Sequence, residues 1–127
     1  MKDLHHPLAR ARGLGSAKSG VHHWTAQRIS SVLLLFLLPW LTYALVCLAS
    51  KSYEEAAAFV AVPWNASLLI LSLLVLLYHA MLGMQVVIED YVHKPALEFA
   101  LHLLVRGATL LGMALGLIFI LKPALGS

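Results

Sequence analysis

Residues 65–89, NASLLILSLLVLLYHAMLGMQVVIE, carry no charged side chain before the last position. They form most of a run of 33 uncharged residues from Ala56 to Ile88. A helix that crosses a bilayer needs about 20 predominantly apolar residues, so this stretch reads as a transmembrane helix. Working outward, Ile29 to Ser50 gives 22 more uncharged residues. Phe99 to Leu121 is also long enough, although Arg106 interrupts it. The expected fold is an all-α membrane protein with three transmembrane helices at about 29–49, 65–89 and 98–121. They form one membrane domain over residues 1–127, preceded by a basic leader at 1–28.

Composition agrees with lipid as part of the solvent. Apolar residues make up 61% of the chain and charged residues 12%, against roughly 45–50% and 25% in soluble domains. Nine Lys and Arg with six Asp and Glu are too few for a water-facing exterior. A soluble enzyme, a disordered tail and a nucleic-acid module are therefore poor fits. The single cysteine, Cys47, excludes an intrachain disulfide, and no CxxC or CxxCH motif is present.

The charges also set topology. Lys2, Arg10, Arg12, Lys18 and Arg28 crowd the first 28 residues, with Asp3 the only acid there. The positive-inside rule then places the N-terminus in the cytoplasm and, after three crossings, the C-terminus in the periplasm of a bacterial inner membrane. The first apolar run is too long and too late for a cleaved signal peptide. Pro7 and the Gly/Ser residues between Gly13 and Gly20 make a poor amphipathic presequence.

The first loop has its own order. Ser52-Tyr-Glu-Glu55 fits a capping box and opens a short interfacial helix, Ala56 to Val62, which Pro63 ends. Trp64 falls where an aromatic belt is expected. Asn65-Ala-Ser67 matches a glycosylation sequon that abuts the membrane. In the third span Gly112 and Gly116 form a GxxxG, expected to pack against a partner helix.

Ionisable groups held inside a membrane point to function. His79 lies about 15 residues into the second span, and Gly83, Val86 and Asp90 share its face. It is either a hydrogen-bonded packing residue or an axial ligand of a haem, with Gly83 leaving room for a flat macrocycle. A second axial ligand would have to come from another chain. His102 and Arg106, one turn apart in the third span, suit pairing with a polar neighbour or snorkelling.

Glu89-Asp90-Tyr91 closes the second span, and Pro95 is expected to stop further helix. Two acids at a helix C-terminus oppose the macrodipole. The cluster is either a solvated helix end or a contact for an apolar, proton-accepting substrate such as a quinone. Arg28, behind His22, His23 and Trp24, is a positive-inside anchor or the partner of an anionic group such as a haem propionate. His5 and His6 have no further ligands for a metal site.

The stretch His79-Ala-Met-Leu-Gly-Met-Gln-Val-Val-Ile-Glu-Asp-Tyr-Val-His93 resembles the signature of the succinate dehydrogenase hydrophobic membrane anchor family, the smaller of the two anchors of complex II. Gly20-Val-His-His-Trp-Thr-Ala-Gln-Arg-Ile-Ser30 resembles the entry to that family's first helix. The partner cytochrome subunit carries an Arg-Pro-x-Ser-Pro-His segment, which this chain lacks. The resemblance implies that His79 is an axial ligand of haem b, whose iron is shared with the cytochrome b subunit. It implies that Tyr91, with Asp90 beside it, contacts ubiquinone, and that Arg28 and His22 lie near the haem propionates or quinone pocket. An iron–sulfur subunit and a flavoprotein subunit would carry the succinate chemistry. A fumarate reductase-like or haem-poor relative, or a non-redox membrane scaffold, are the alternatives.

Overall fold

The computed structural model describes residues 16–126, with side chains from residue 20; the basic positions Lys2, Arg10, Arg12 and Lys18 fall outside the described side chains. Four helices follow one another: α1 (Ser16–Ala49), α2 (Tyr53–Ala61), α3 (Pro63–Tyr91) and α4 (Pro95–Ala124). Three of them are long and apolar enough to cross a membrane. The central helix α3 packs against both α1 and α4, and α2 packs against α4 and α3.

Each long helix outruns its expected bounds. The 29 residues of α3 and the 30 of α4 correspond to about 43–45 Å at 1.5 Å per residue. That matches a bilayer with its headgroup layers rather than the hydrocarbon core alone. The 34 residues of α1 reach about 51 Å. Its first turns, with His22, His23 and Trp24, therefore continue the helix beyond the apolar run that starts at Ile29. Backbone hydrogen bonding does not stop where hydropathy does.

Proline sets two of the boundaries, in the opposite sense to one expectation. Pro95 does not interrupt the chain's helicity; it starts α4, as Pro63 starts α3. At the first helical position the missing N–H is no loss and the fixed φ is already helical. Between α2 and α3 a single residue, Val62, is the C-cap of one helix and the N-cap of the next.

The capping box at α2 is present. The Glu55 amide donates to Ser52 Oγ at 3.3 Å and the Ser52 amide donates to Glu55 Oε2 at 2.9 Å. The hydrogen bond from the Ser52 amide, then that from its hydroxyl and the charge of Lys51, hold the Glu55 carboxyl below the usual carboxylate value. Asn65 of the sequon is spent inside the corner, where its Nδ2 donates to the Phe59 carbonyl at 3.0 Å.

Burial differs from that of a soluble bundle: small polar side chains share the interior with Leu34, Leu37, Leu82 and Ile88, and large apolar ones cover the outside. Ser30, Ser72, Gln85 and Thr109 are buried, while Phe36 and Phe119 are 74% and 70% exposed. In hydrocarbon, contact between helices is favoured where small side chains permit close approach. The GxxxG supplies one such place, and its partner lies within the same chain. A methyl group at Gly116 would lie 2.9 Å from Leu73 Cδ1, and one at Gly112 would lie 3.3 Å from Leu77 Cδ1. Leu73 and Leu77, one turn apart on α3, thus fill the groove that the two glycines leave on α4.

Gly116→Val should consequently destabilise α3–α4 packing by about 1–3 kcal/mol, the usual cost of overfilling a packed site. Gly107→Ala, whose methyl would meet nothing within 4 Å, should be close to neutral. Thermal denaturation of the detergent-solubilised protein checks this; equal midpoints for the two variants would contradict the packing.

Candidate functional site

His79 is fixed from the first helix. Its Nδ1 lies 2.8 Å from Ser30 Oγ, across the α1–α3 contact. Ser30 is 4% exposed, and its Oγ also donates to the Gln27 carbonyl at 3.0 Å. A serine hydroxyl has one proton to give. With that proton on the Gln27 carbonyl, Ser30 Oγ accepts from His79 Nδ1–H. The Gln27 carbonyl also accepts from the Ser31 hydroxyl at 2.7 Å, so the alternative, with the Ser30 proton on Nδ1 and the His79 proton on Nε2, satisfies the same contact.

The Nδ1–H form is the one a metal-binding imidazole requires. A ligating histidine donates its other ring N–H to a fixed acceptor, which sets both tautomer and ring orientation. Space is available nearby: a methyl group added at Gly83, one turn from His79, would meet nothing within 4 Å. The donor set and the opening both fit one axial position of a haem. Among the described residues no group of three or more His, Cys, Asp and Glu side chains forms a metal site of its own.

Asp90 and Tyr91 end α3, and both are exposed, Tyr91 to 80%. Tyr91 lies 12 residues beyond His79, about 18 Å along the helix axis. Asp90 is nearly in phase with His79, and Tyr91 lies about 120° round the helix. Arg28 is exposed, and its guanidinium sits 5.4 Å from the centroid of the Trp24 ring, a cation–π contact. Ser30 lies two positions after Arg28, so the two side chains leave α1 about 200° apart. Arg28 therefore points away from α3 while Ser30 points into it. His22 and His93 are exposed. The structure brings Ser30 and His79 together; it does not join Arg28 or His22 to Asp90 or Tyr91 by any hydrogen bond or ion pair.

His102 faces the carboxylates of Glu98 and Glu89 at 3.9 and 4.0 Å, in line with the polar pairing expected of it. Ser30 was not singled out from sequence, and neither were Gln27 and Gln85. A signal for Ser30 existed: Ser30-Ser31 is a polar pair inside the apolar run, on the face that carries the buried Leu34 and Leu37.

A bundle of three membrane-length helices, with a histidine held against a buried serine and a tyrosine–aspartate pair at one helix end, defines a class: three-span membrane proteins that keep polar groups inside the bundle. Comparison with known proteins narrows it. Residues 2–121 match the family model of the succinate dehydrogenase/fumarate reductase transmembrane subunit, and the chain belongs to that family. It is 38% identical over 104 residues to the succinate dehydrogenase hydrophobic membrane anchor subunit of Rickettsia bellii, covering 82% of this chain and 83% of that one. The subunit of the same name from Rickettsia conorii is 36% identical over 107 residues, with coverage of 82% and 83%. That of Paracoccus denitrificans is 32% identical over 85 residues, covering 67% of this chain and 66% of its own length.

Ser30→Ala should release the imidazole by removing its only side-chain acceptor, at a cost of about 1 kcal/mol. Nitrogen-15 spectra of labelled His79 report this directly. The native chain should give one Nδ1–H tautomer, and the variant a mixture; identical spectra would show that Ser30 does not select the tautomer.

Proposed function

We propose that this chain is the hydrophobic membrane anchor of a succinate dehydrogenase. It would contribute one axial ligand of haem b and one wall of a ubiquinone site. Electrons from succinate would reach it through a flavoprotein and an iron–sulfur subunit, and a cytochrome b subunit would supply the other axial ligand. The observation that carries this reading is the Ser30–His79 contact through Nδ1, which keeps Nε2 out of that contact, with open space at Gly83 one turn away. The family match and the names of the relatives agree with it.

In this reading the Tyr91 end of the bundle faces the cytoplasm of a bacterial inner membrane, and the Lys51 end faces the periplasm. Arg28 and Lys94 flank the former end, which agrees with the positive-inside rule. Its relatives are named as membrane anchor subunits, and in this reading succinate oxidation belongs to the partner subunits.

His79 would hold the haem iron through Nε2, with Ser30 fixing the ring. Haem supplies a one-electron store beside the quinone pathway. The reaction that this chain's own residues would serve is uptake of two electrons and two protons by the quinone, giving the quinol. Tyr91 O–H is suited to donate to a quinone carbonyl and to strengthen that bond as the oxygen becomes anionic. Asp90, exposed beside it, would pass protons from water. Arg28, turned outward from the bundle, is placed to meet an anionic group on a partner, such as a haem propionate, and His22 lies two turns before it on the same helix.

His79→Ala should abolish or strongly shift the b-haem signal in a reduced-minus-oxidised spectrum of the purified complex. Succinate oxidation by a soluble dye should be largely retained. An unchanged spectrum would refute the ligand assignment. Tyr91→Phe should lower quinone reduction by about 10–100-fold, the worth of a hydrogen bond to a developing charge, and leave the haem spectrum intact. Unchanged quinone kinetics would remove Tyr91 from the site.

A further inference from the structure

A second polar site lies on the other flank of α3. Glu89 precedes Tyr91 by two residues, so the two side chains project about 200° apart. Where Tyr91 is open to the surroundings, Glu89 lines a cleft between α1, α3 and α4. Two hollows, of about 390 and 440 Å³, share Gln85, Glu89 and Arg106 as common walls. None of the expected haem or quinone residues lines either hollow.

The cleft is polar where lipid would be expected. Gln85 is 7% exposed. Three side-chain atoms around it, His23 Nε2, Gln27 Oε1 and His102 Nδ1, are buried without a hydrogen-bond partner. Buried polar atoms in native proteins are almost always paired, so their grouping here points to a ligand with both donors and acceptors. Arg106 adds a positive charge 11 residues into α4, about 16 Å along its axis. An unpaired cation at such depth is costly, and among the described residues Arg106 makes no ion pair within 4.0 Å.

The order of charges along the helix axis identifies the ligand. Glu98 lies eight residues before Arg106, about 12 Å nearer the headgroup surface, and Glu89 reaches the same level from the end of α3. Their side chains are 39% and 57% exposed. At 3.9 and 4.0 Å, His102 Nε2 lies beyond hydrogen-bonding distance of both carboxylates, so their oxygens remain able to accept. The cleft is thus cationic below and anionic above. An aminophospholipid has the complementary order, with phosphate below and primary ammonium above. A phosphoglycerol headgroup brings no cation for the two carboxylates. A choline headgroup brings a cation without N–H donors.

We propose that this cleft binds the headgroup of one aminophospholipid, with Arg106 on the phosphate and Glu89 and Glu98 on the ammonium. His23, Gln27 and Gln85 supply the remaining hydrogen bonds. The site is independent of whether His79 holds haem.

Native mass spectrometry of the assembled complex tests this, after delipidation and exposure to vesicles of phosphatidylethanolamine, phosphatidylcholine or phosphatidylglycerol with the same acyl chains. One phosphatidylethanolamine per copy of this chain should be retained in preference to the other two lipids. Arg106→Gln should lower its retention about tenfold or more, as expected for a lost charge-assisted hydrogen bond. The double variant Glu89→Gln, Glu98→Gln should still hold lipid but lose the preference over phosphatidylcholine. Equal retention of the three lipids, preference for phosphatidylglycerol, or occupancy by water alone would overturn the proposal. Should Arg106→Gln fail to assemble, the double variant decides the matter alone: preserved selectivity overturns the proposal, and lost selectivity upholds it.

Discussion

In hydrocarbon a leucine gains little by leaving lipid for a neighbouring helix, and that constraint governs how this chain is held together. Helix contact must come from close approach or from polar pairing. The chain uses one device on each side of α3. Toward α4, glycines at 112 and 116 admit Leu73 and Leu77. Toward α1, the buried Ser30 reaches His79 across the contact. The second device also places and orients the one mid-span histidine, so the same bond that joins two helices sets the imidazole. Helix packing and site geometry are not separable at this point in the fold.

The helix α3 also divides the Tyr91 end of the bundle into two environments. Asp90 and Tyr91 stand open to whatever covers them, as suits a pocket completed by another chain. Glu89, one residue earlier, lines an open cleft whose walls come from α1, α3 and α4. Three consecutive residues at a helix end thereby serve different surfaces, because each step turns the side chain by about 100°. A cluster that looks uniform in sequence is distributed around the helix by geometry.

Much of the architecture was legible in the sequence because it depends on runs and local signals. Uncharged stretches marked the three spans, and Ser52 with Glu55 marked the start of α2. His79 stood out because an ionisable group within an apolar run is expensive. What was illegible depended on relations between helices. Pro95 read as a stop, although in the chain it opens α4, and only the backbone on either side decides between these. The GxxxG announced a close contact without naming Leu73 as the other party. Ser30 mattered because of what lies 49 positions later in the chain, a relation that no local pattern encodes. The inward direction of Gln85 was hidden for the same reason.

The corner at Val62 has a mechanical consequence. One residue serves as the end of α2 and the start of α3, and Asn65 clamps the last turn of α2 onto it. A nine-residue helix is thus joined through one residue to the rod that carries the imidazole. Were α2 to lie in the headgroup layer, sliding that rod along the bilayer normal would drag it into oil or lift it into water. A helix so placed would be a depth gauge, setting from one side of the membrane how far below the other side His79 rests.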